Sequence, residues 1–434
     1  MTSNKLYFHF TIIFILLIKP FSGFGQEESG SFVFGDLLPD APELADRGEF
    51  LVGVRTLNLV HENQPDIMNF AKGETPEYDR PLKVEIWYPA DIGSQGKTTY
   101  NDFLGVENSK NRPLIPFYFD GKAERDALPK NDEGAFPLVI VSHGYLGSRY
   151  LMTYLTENIA SKGYVVVAIH HTESTHEDAG KFASTLYHRP KDDLFVLNEM
   201  AKMGSKAGDG FLAGMIDAEN TALIGYSMGG YGALNVAGAG FSPAFVGAFS
   251  QMTGGSEILM ERSLKNPSYT GTVDPRIKAV VAFAPWGMQR GVWDSESLAN
   301  IELPVFFVAG DQDDVSGYSD GIKAIFEGAV NSNRHLLTYK NARHNVAPNP
   351  PPAESLKKGV HLDEYMHYAE PAWDQRRINN INQHFVTAYL GIHLKGKDYA
   401  SFLDLPEDSL EETWEGFKPR TSIGLELKYL EGQN

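Results

Sequence analysis

Cysteine is missing from all 434 residues of the chain. Thiol nucleophiles, disulfides and thiolate metal sites are thereby excluded. The lack of disulfides says little about compartment, since a chain this long does not need them. Basic residues are in deficit, with 38 Lys and Arg against 56 Asp and Glu and a formal net charge of -18. That sign repels phosphate backbones and argues against nucleic acid as a partner. No G-x-G-x-x-G or Walker pattern falls in a strand-to-helix context, so no nucleotide cofactor is implied. There is no internal repeat and no long low-complexity tract. A bilayer-spanning apolar stretch is lacking as well, because the run at residues 7–18 is too short. Preceded by Lys5 and followed by Gly23-Phe24-Gly25, that run reads as a secretory signal peptide over residues 1–25. The expectation is a secreted or periplasmic protein with no stable membrane anchor after cleavage. Without a cysteine at the cleavage site, lipoprotein anchoring is excluded too.

What is present describes an ordinary globular core, with 42% hydrophobic and 22% charged residues. Residues 51–60 (LVGVRTLNLV) and 83–89 (KVEIWYP) alternate and are rich in β-formers, which predicts two early strands. Apolar runs at 136–142 (FPLVIVS), 164–169 (YVVVAI), 221–225, 277–283, 304–309 and 335–339 predict further strands, most of them buried on both faces. Helical patterns at 150–162, 189–203, 228–238, 319–330 and 374–394 are interspersed among them. Strands alternating with helices predict βαβ units and a mostly parallel sheet. One α/β domain is expected over residues 50–396. Residues 26–49 read as an N-terminal arm and 92–135 as a surface excursion. Residues 397–434 read as an appendix packed on or beside the domain.

The stretch ALIGYSMGGYGA at 222–233 contains G-x-S-x-G as Gly225-Tyr226-Ser227-Met228-Gly229. It follows a buried strand and opens a helix, the context in which that motif puts a serine on a strained turn. Large side chains at 225 and 229 would collide with the neighbouring strand and helix. Gly230 and Gly232 are expected to let the helix lie close to the sheet. The plain alternative is a Gly-rich turn with Ser227 as N-cap.

A serine hydroxyl needs a base within hydrogen-bond reach, and the base needs an orienting acid. In this context the chain order is Ser, acid, His. Asp311, Asp313 and Asp314 follow the strand at 304–309. Asp313 is the choice, because Asp311 falls in the tight turn and Asp314 starts the next segment. His344, on the loop after the last predicted strand, is the candidate base. His335, at that strand's start, points to the opposite edge. Oxyanion donors are expected from the N–H of Met228 and of Tyr145, with Gly144 leaving room for substrate. Trp286 and Met288 are candidates to line an acyl pocket. His170, His171, His176, Glu173, Glu177 and Asp178 match no metal-ligand spacing and read as a solvated loop, so no metal is expected.

Several stretches together resemble the α/β-hydrolase superfamily. They are VEIWYPAD (84–91), PLVIVSHGYLGS (137–148), HRPKDDLFVLNEM (188–200), IGYSMGG (224–230), APWG (284–287), VAGDQDD (308–314), ARHNVAPNPPPAES (342–355) and the helix at 373–396. Within it the chain is similar to secreted dienelactone-hydrolase-like esterases related to platelet-activating-factor acetylhydrolases and cutinase-like polyesterases. The resemblance implies an α/β-hydrolase fold with an eight-stranded, mainly parallel sheet. It implies ester hydrolysis without cofactor, with Ser227, Asp313 and His344 as triad and Tyr145 and Met228 as oxyanion donors. Dienelactone hydrolases proper use a cysteine nucleophile, which this chain cannot supply. The resulting expectation is a serine esterase acting on small-molecule or polymeric esters. Its rivals are a prolyl-oligopeptidase-type peptidase, for which residues 26–135 leave no room for a propeller, and a non-catalytic binding protein on the same fold. Oligomeric state is not legible.

Overall fold

The computed structural model describes Met1 and residues 32–433, apart from 72, 92–96, 181, 209, 411 and 412. Met1 aside, the predicted signal peptide lies outside the described residues.

Two long strands, β1 (Leu51–Pro65) and β2 (Glu77–Ala90), form an antiparallel pair. A separate hairpin follows, β3 (Thr99–Leu104) with β4 (Ile115–Asp120), and then the two-residue β5 (Glu124–Arg125). The remaining strands are β6 (Phe136–Ser142), β7 (Val165–His170), β8 (Ile216–Tyr226), β9 (Ile277–Phe283), β10 (Val305–Gly310), β11 (Arg334–Tyr339) and β12 (Leu425–Leu430). Among the described residues the main sheet has the order β12-β11-β10-β9-β8-β6-β7-β2-β1-β5. From β7 across to β11 it is parallel. The apolar runs explain this: every residue of β6 and β10 is buried, as strands covered on both faces must be.

All eight predicted strands lie in this sheet, which is nevertheless ten strands wide rather than eight. The additions are β5, too short to carry a pattern, and β12, which pairs antiparallel to β11. The segment read as a packed appendix thus supplies an edge strand, β12. The supposed surface excursion contributes too, because Tyr100, Leu104 and Phe117 of the hairpin are buried.

Helices α1 (Thr153–Ser161), α2 (Phe182–Gly204), α3 (Met228–Val236) and α4 (Pro243–Met252) are followed by the short α5 (Ser295–Ala299), α6 (Lys323–Gly328) and α7 (Leu362–Met366), and by α8 (Gln375–Lys395). α1 packs with α8, whereas α2 packs with α3 on β8. Right-handed crossovers running in opposite directions on leaving β6 and β7 put these pairs on opposite faces. α2 begins well before the predicted position 189 and continues through Pro190. Proline cannot bond the carbonyl four residues back. Here that carbonyl, on Leu186, accepts the Tyr231 hydroxyl from α3 instead, at 2.6 Å. The arm is docked as well. Leu38 N–H donates to Asn380 Oδ1 and Leu44 N–H to His384 Nδ1, both on α8.

The direction of strand succession reverses at β6, which lies between β7 and β8 with Ser142 opposite Gly225. Open α/β sheets bind ligands outside the carboxyl ends of strands at such a reversal.

Candidate active site

Ser227 sits at the end of β8 and caps α3 with φ 52° and ψ -111°, a left-handed conformation that non-glycine residues rarely adopt. Three backbone bonds hold it there. Its N–H donates to Phe283 O at 2.8 Å, and its carbonyl accepts from Tyr231 and Trp286 N–H at 3.0 and 3.1 Å. The glycines around it are steric necessities. A Cβ on Gly225 would lie 2.2 Å from Gly229 O, and one on Gly229 would lie 1.9 Å from Ser142 O. Gly230 faces Pro285. Gly232 faces Arg189 and Asp193 of α2, so its bareness serves helix-to-helix contact rather than the predicted approach to the sheet.

His344 Nε2 lies 3.0 Å from Ser227 Oγ, and its Nδ1 lies 2.8 Å from Asp313 Oδ2. All three residues are buried. Asp313 is itself anchored, because Oδ1 accepts the N–H groups of Val315 and Ser316 at 2.9 and 2.8 Å. Only Oδ2 is left to face the imidazole. With Nδ1 donating to Asp313, Nε2 is free to accept from the hydroxyl. The two neighbouring acids are engaged elsewhere. Asp311 accepts Asn341 N–H and pairs with Lys340, and Asp314 pairs with Arg343.

A cavity of about 350 Å³ opens at Ser227 and His344. Gly144, Tyr145 and Leu146 line one side, and Tyr226 lies on its wall. A Cβ on Gly144 would press on the Tyr226 ring at 3.1 Å and on Ser227 Cβ at 3.4 Å. Met228 is the first residue of α3, where backbone N–H groups have no partner within the helix. The opposite wall comes from residues 363–371, including Met366 and His367, and from Arg112. Neither Trp286 nor Met288 is on these walls. Trp286 packs edge-on to Phe182 at 5.2 Å beside the elbow.

A solved ferulic acid esterase from Streptomyces cinnamoneus superposes on 90% of this chain and 100% of its own, with a TM-score of 0.54 and 19% identity. With the sheet order and the elbow, that settles the fold. The chain has the α/β-hydrolase fold. The profile of the PET hydrolase-like family, PETase, matches residues 124–246. Cutinase est1 of Thermobifida alba is 23% identical over 219 residues, spanning 50% of this chain and 56% of that protein. The cutinase of Thermobifida fusca (strain YX) is 24% identical over 221 residues, spanning 51% and 56%. The matched region thus covers little more than half the length of either cutinase.

The fold holds a second Ser-His-Asp array that sequence reasoning missed. Ser142 Oγ lies 2.9 Å from His171 Nε2, and His171 Nδ1 lies 2.9 Å from Asp192 Oδ2. Exposure is 2% for Ser142 and 0% for His171 and Asp192, and none of them lines the cavity at Ser227. Burial holds His171 down to about 3, so it stays neutral. Burial alone would push the Asp192 carboxyl up, but Arg80 and His171 outweigh it and hold it low. Arg189, also buried, donates to His143 O. This network is the bed under the His143-Gly144-Tyr145 loop. It also corrects the reading of a solvated histidine loop, since His171 and His176 are both buried. Among the described residues no group of three His, Asp or Glu is placed to hold a metal, and no helix is long and apolar enough to cross a membrane.

Proposed function

We propose that this α/β-hydrolase cleaves carboxylic esters through an acyl-enzyme on Ser227. The observation that carries the reading is the hydroxyl–imidazole–carboxylate chain, with links of 3.0 and 2.8 Å, opening on a cavity. The names of the cutinase relatives and the PET hydrolase-like profile support an ester as the substrate.

His344 Nε2 takes the proton as Ser227 Oγ adds to the ester carbonyl. Asp313 Oδ2 holds the Nδ1 proton and stabilises the imidazolium. Backbone N–H groups of Met228 and Tyr145 receive the developing oxyanion. The tetrahedral adduct collapses, and the alcohol leaves with the proton carried by His344. Water, deprotonated by His344, then attacks the acyl-serine, and the acid is released as Ser227 regains its proton. Lipid-like, acetyl and polyester substrates all remain within this chemistry, and a chain-length series including phospholipid and polyester ranks them.

Ser227→Ala is expected to lower kcat on a p-nitrophenyl ester by something on the order of 10⁶ and to abolish labelling by a fluorophosphonate probe. Turnover near the wild-type rate would end the nucleophile assignment. An unlabelled wild-type protein would favour the binding-protein reading.

A further inference from the structure

Behind His344 lies a carboxylate that this chemistry does not use. Glu370 follows α7 and is only 5% exposed. Its Oε2 accepts Arg343 N–H and its Oε1 accepts Asn345 N–H, both at 2.6 Å. These are the residues on either side of His344. Asn345 extends the grip. Its Oδ1 accepts the Tyr226 hydroxyl at 3.1 Å, and its amide donates to Met366 O and Ala369 O at 2.5 and 3.0 Å. Tyr226 precedes the nucleophile, and its ring lies 5.3 Å from the imidazole at an angle of 35°. The loop that carries the base is thus tied to the segment that walls the cavity.

We propose that Glu370 is a positioning residue for the Ser227–His344 reaction, gripping the backbone on both sides of His344 and adding a second negative charge beside Asp313. The inference rests on the acyl-enzyme reading above. Both Glu370 oxygens accept from amides, an arrangement that favours the ionised form. Burial nevertheless pushes its carboxyl up, against the pull of the two N–H groups and His344. Asp313, Asp314, Tyr226 and Glu370 interact with His344, and Arg112, Arg343, Asp363 and His367 line the same cavity. Arg343 is engaged by Asp314, which leaves Asp313 and Glu370 to balance the imidazolium formed in the reaction. A loop staple with no such role would alter the melting midpoint but not the titration of the reaction.

Glu370→Gln keeps the volume and removes the charge. The measurement is kcat and KM on p-nitrophenyl acetate across pH, per active site counted by fluorophosphonate titration. The expected result is a kcat loss on the order of 10- to 100-fold with KM within about twofold. The acid limb of the kcat/KM profile should move to lower pH by about half a unit or more, because an imidazolium with one fewer anion beside it forms less readily. An acid limb that coincides with wild type overturns the proposal, whatever kcat does. Glu370→Asp serves if the glutamine variant does not fold. It keeps the charge on a shorter arm and should retain the wild-type acid limb while losing kcat. Full kcat in that variant also overturns the proposal. An inactive, unlabelled wild type would sink the acyl-enzyme reading and this inference with it, whereas an active wild type with an unaltered variant removes this inference alone.

Discussion

Ser227 holds its conformation because Gly225 and Gly229, two residues to either side, carry no side chain. The tightest case is Gly229, where an added Cβ would meet Ser142 O at 1.9 Å and Ser142 C at 2.5 Å. Backbone atoms of a buried strand cannot step aside as a side-chain tip can. Gly229→Ala should therefore cost about 3 kcal/mol, the upper end for overpacking, read from urea denaturation, and should displace the backbone at Ser142 and His143. Gly247 in α4 is the control. Nothing lies within 4 Å of an added Cβ there, and alanine should stabilise by about 0.5–1 kcal/mol through helix propensity. Equal midpoints for the two variants would contradict this steric account. The residues that meet at the site carry marks in the sequence: glycines around a serine, an acid after one apolar run and a histidine after the next. Glu370 carries none. It works through backbone amides brought close by folding, and no side-chain pattern records them.

Elements were legible in proportion to how much of their burial shows as pattern. Strands covered on both faces read as continuous apolar runs, and β9 spans the predicted residues 277–283. The hairpin β3–β4 did not read, because its halves are joined by residues 105–114 without a tight-turn signal and it lies outside the main sheet. Nor did β12, six residues long with only two of them buried. Yet the segment leading to β12 packs on the core. Trp414 is 1% exposed, with its ring 6.1 Å from Phe385 of α8 and 5.9 Å from Phe417. Trp414→Ala should cost about 3–5 kcal/mol in chemical denaturation. A loosely attached tail would give a change under about 0.5 kcal/mol, and that result would refute the integration of residues 397–433 into the domain.

At the scale of the whole molecule, the buried histidines decide how stability depends on pH. Burial lowers the pKa of His143, His170, His171, His188, His335, His367 and His384, to about 3 for His171, His188, His367 and His384 and about 4 for His335. In the unfolded chain these imidazoles take up protons near pH ~6.5. Between that pH and about 3 the unfolded state binds more protons, so stability falls as the solution is acidified. Asp193 opposes the trend. Burial raises it to about 8, so its folded form keeps a proton that the unfolded chain releases, and its contribution declines as pH rises from about 4 to 8. Asp102, Glu177 and Glu370 are raised by burial as well, but the lowered imidazoles outnumber these carboxyls on the acid side. Above neutrality Lys162 and Lys395, lowered by burial to about 7 and about 8, add stability as pH rises. The thermal midpoint should drop sharply as pH falls from ~6.5 toward ~4.5. Asp193→Asn removes that offset and should steepen the fall in midpoint below pH ~6.5. The composition gave the number of histidines, 13, but not which of them the fold would bury without charge. A midpoint that stays level from neutral pH down to ~4.5 would mean that these imidazoles find counter-charges on protonation, and the bed beneath the His143 loop would then have to be redrawn.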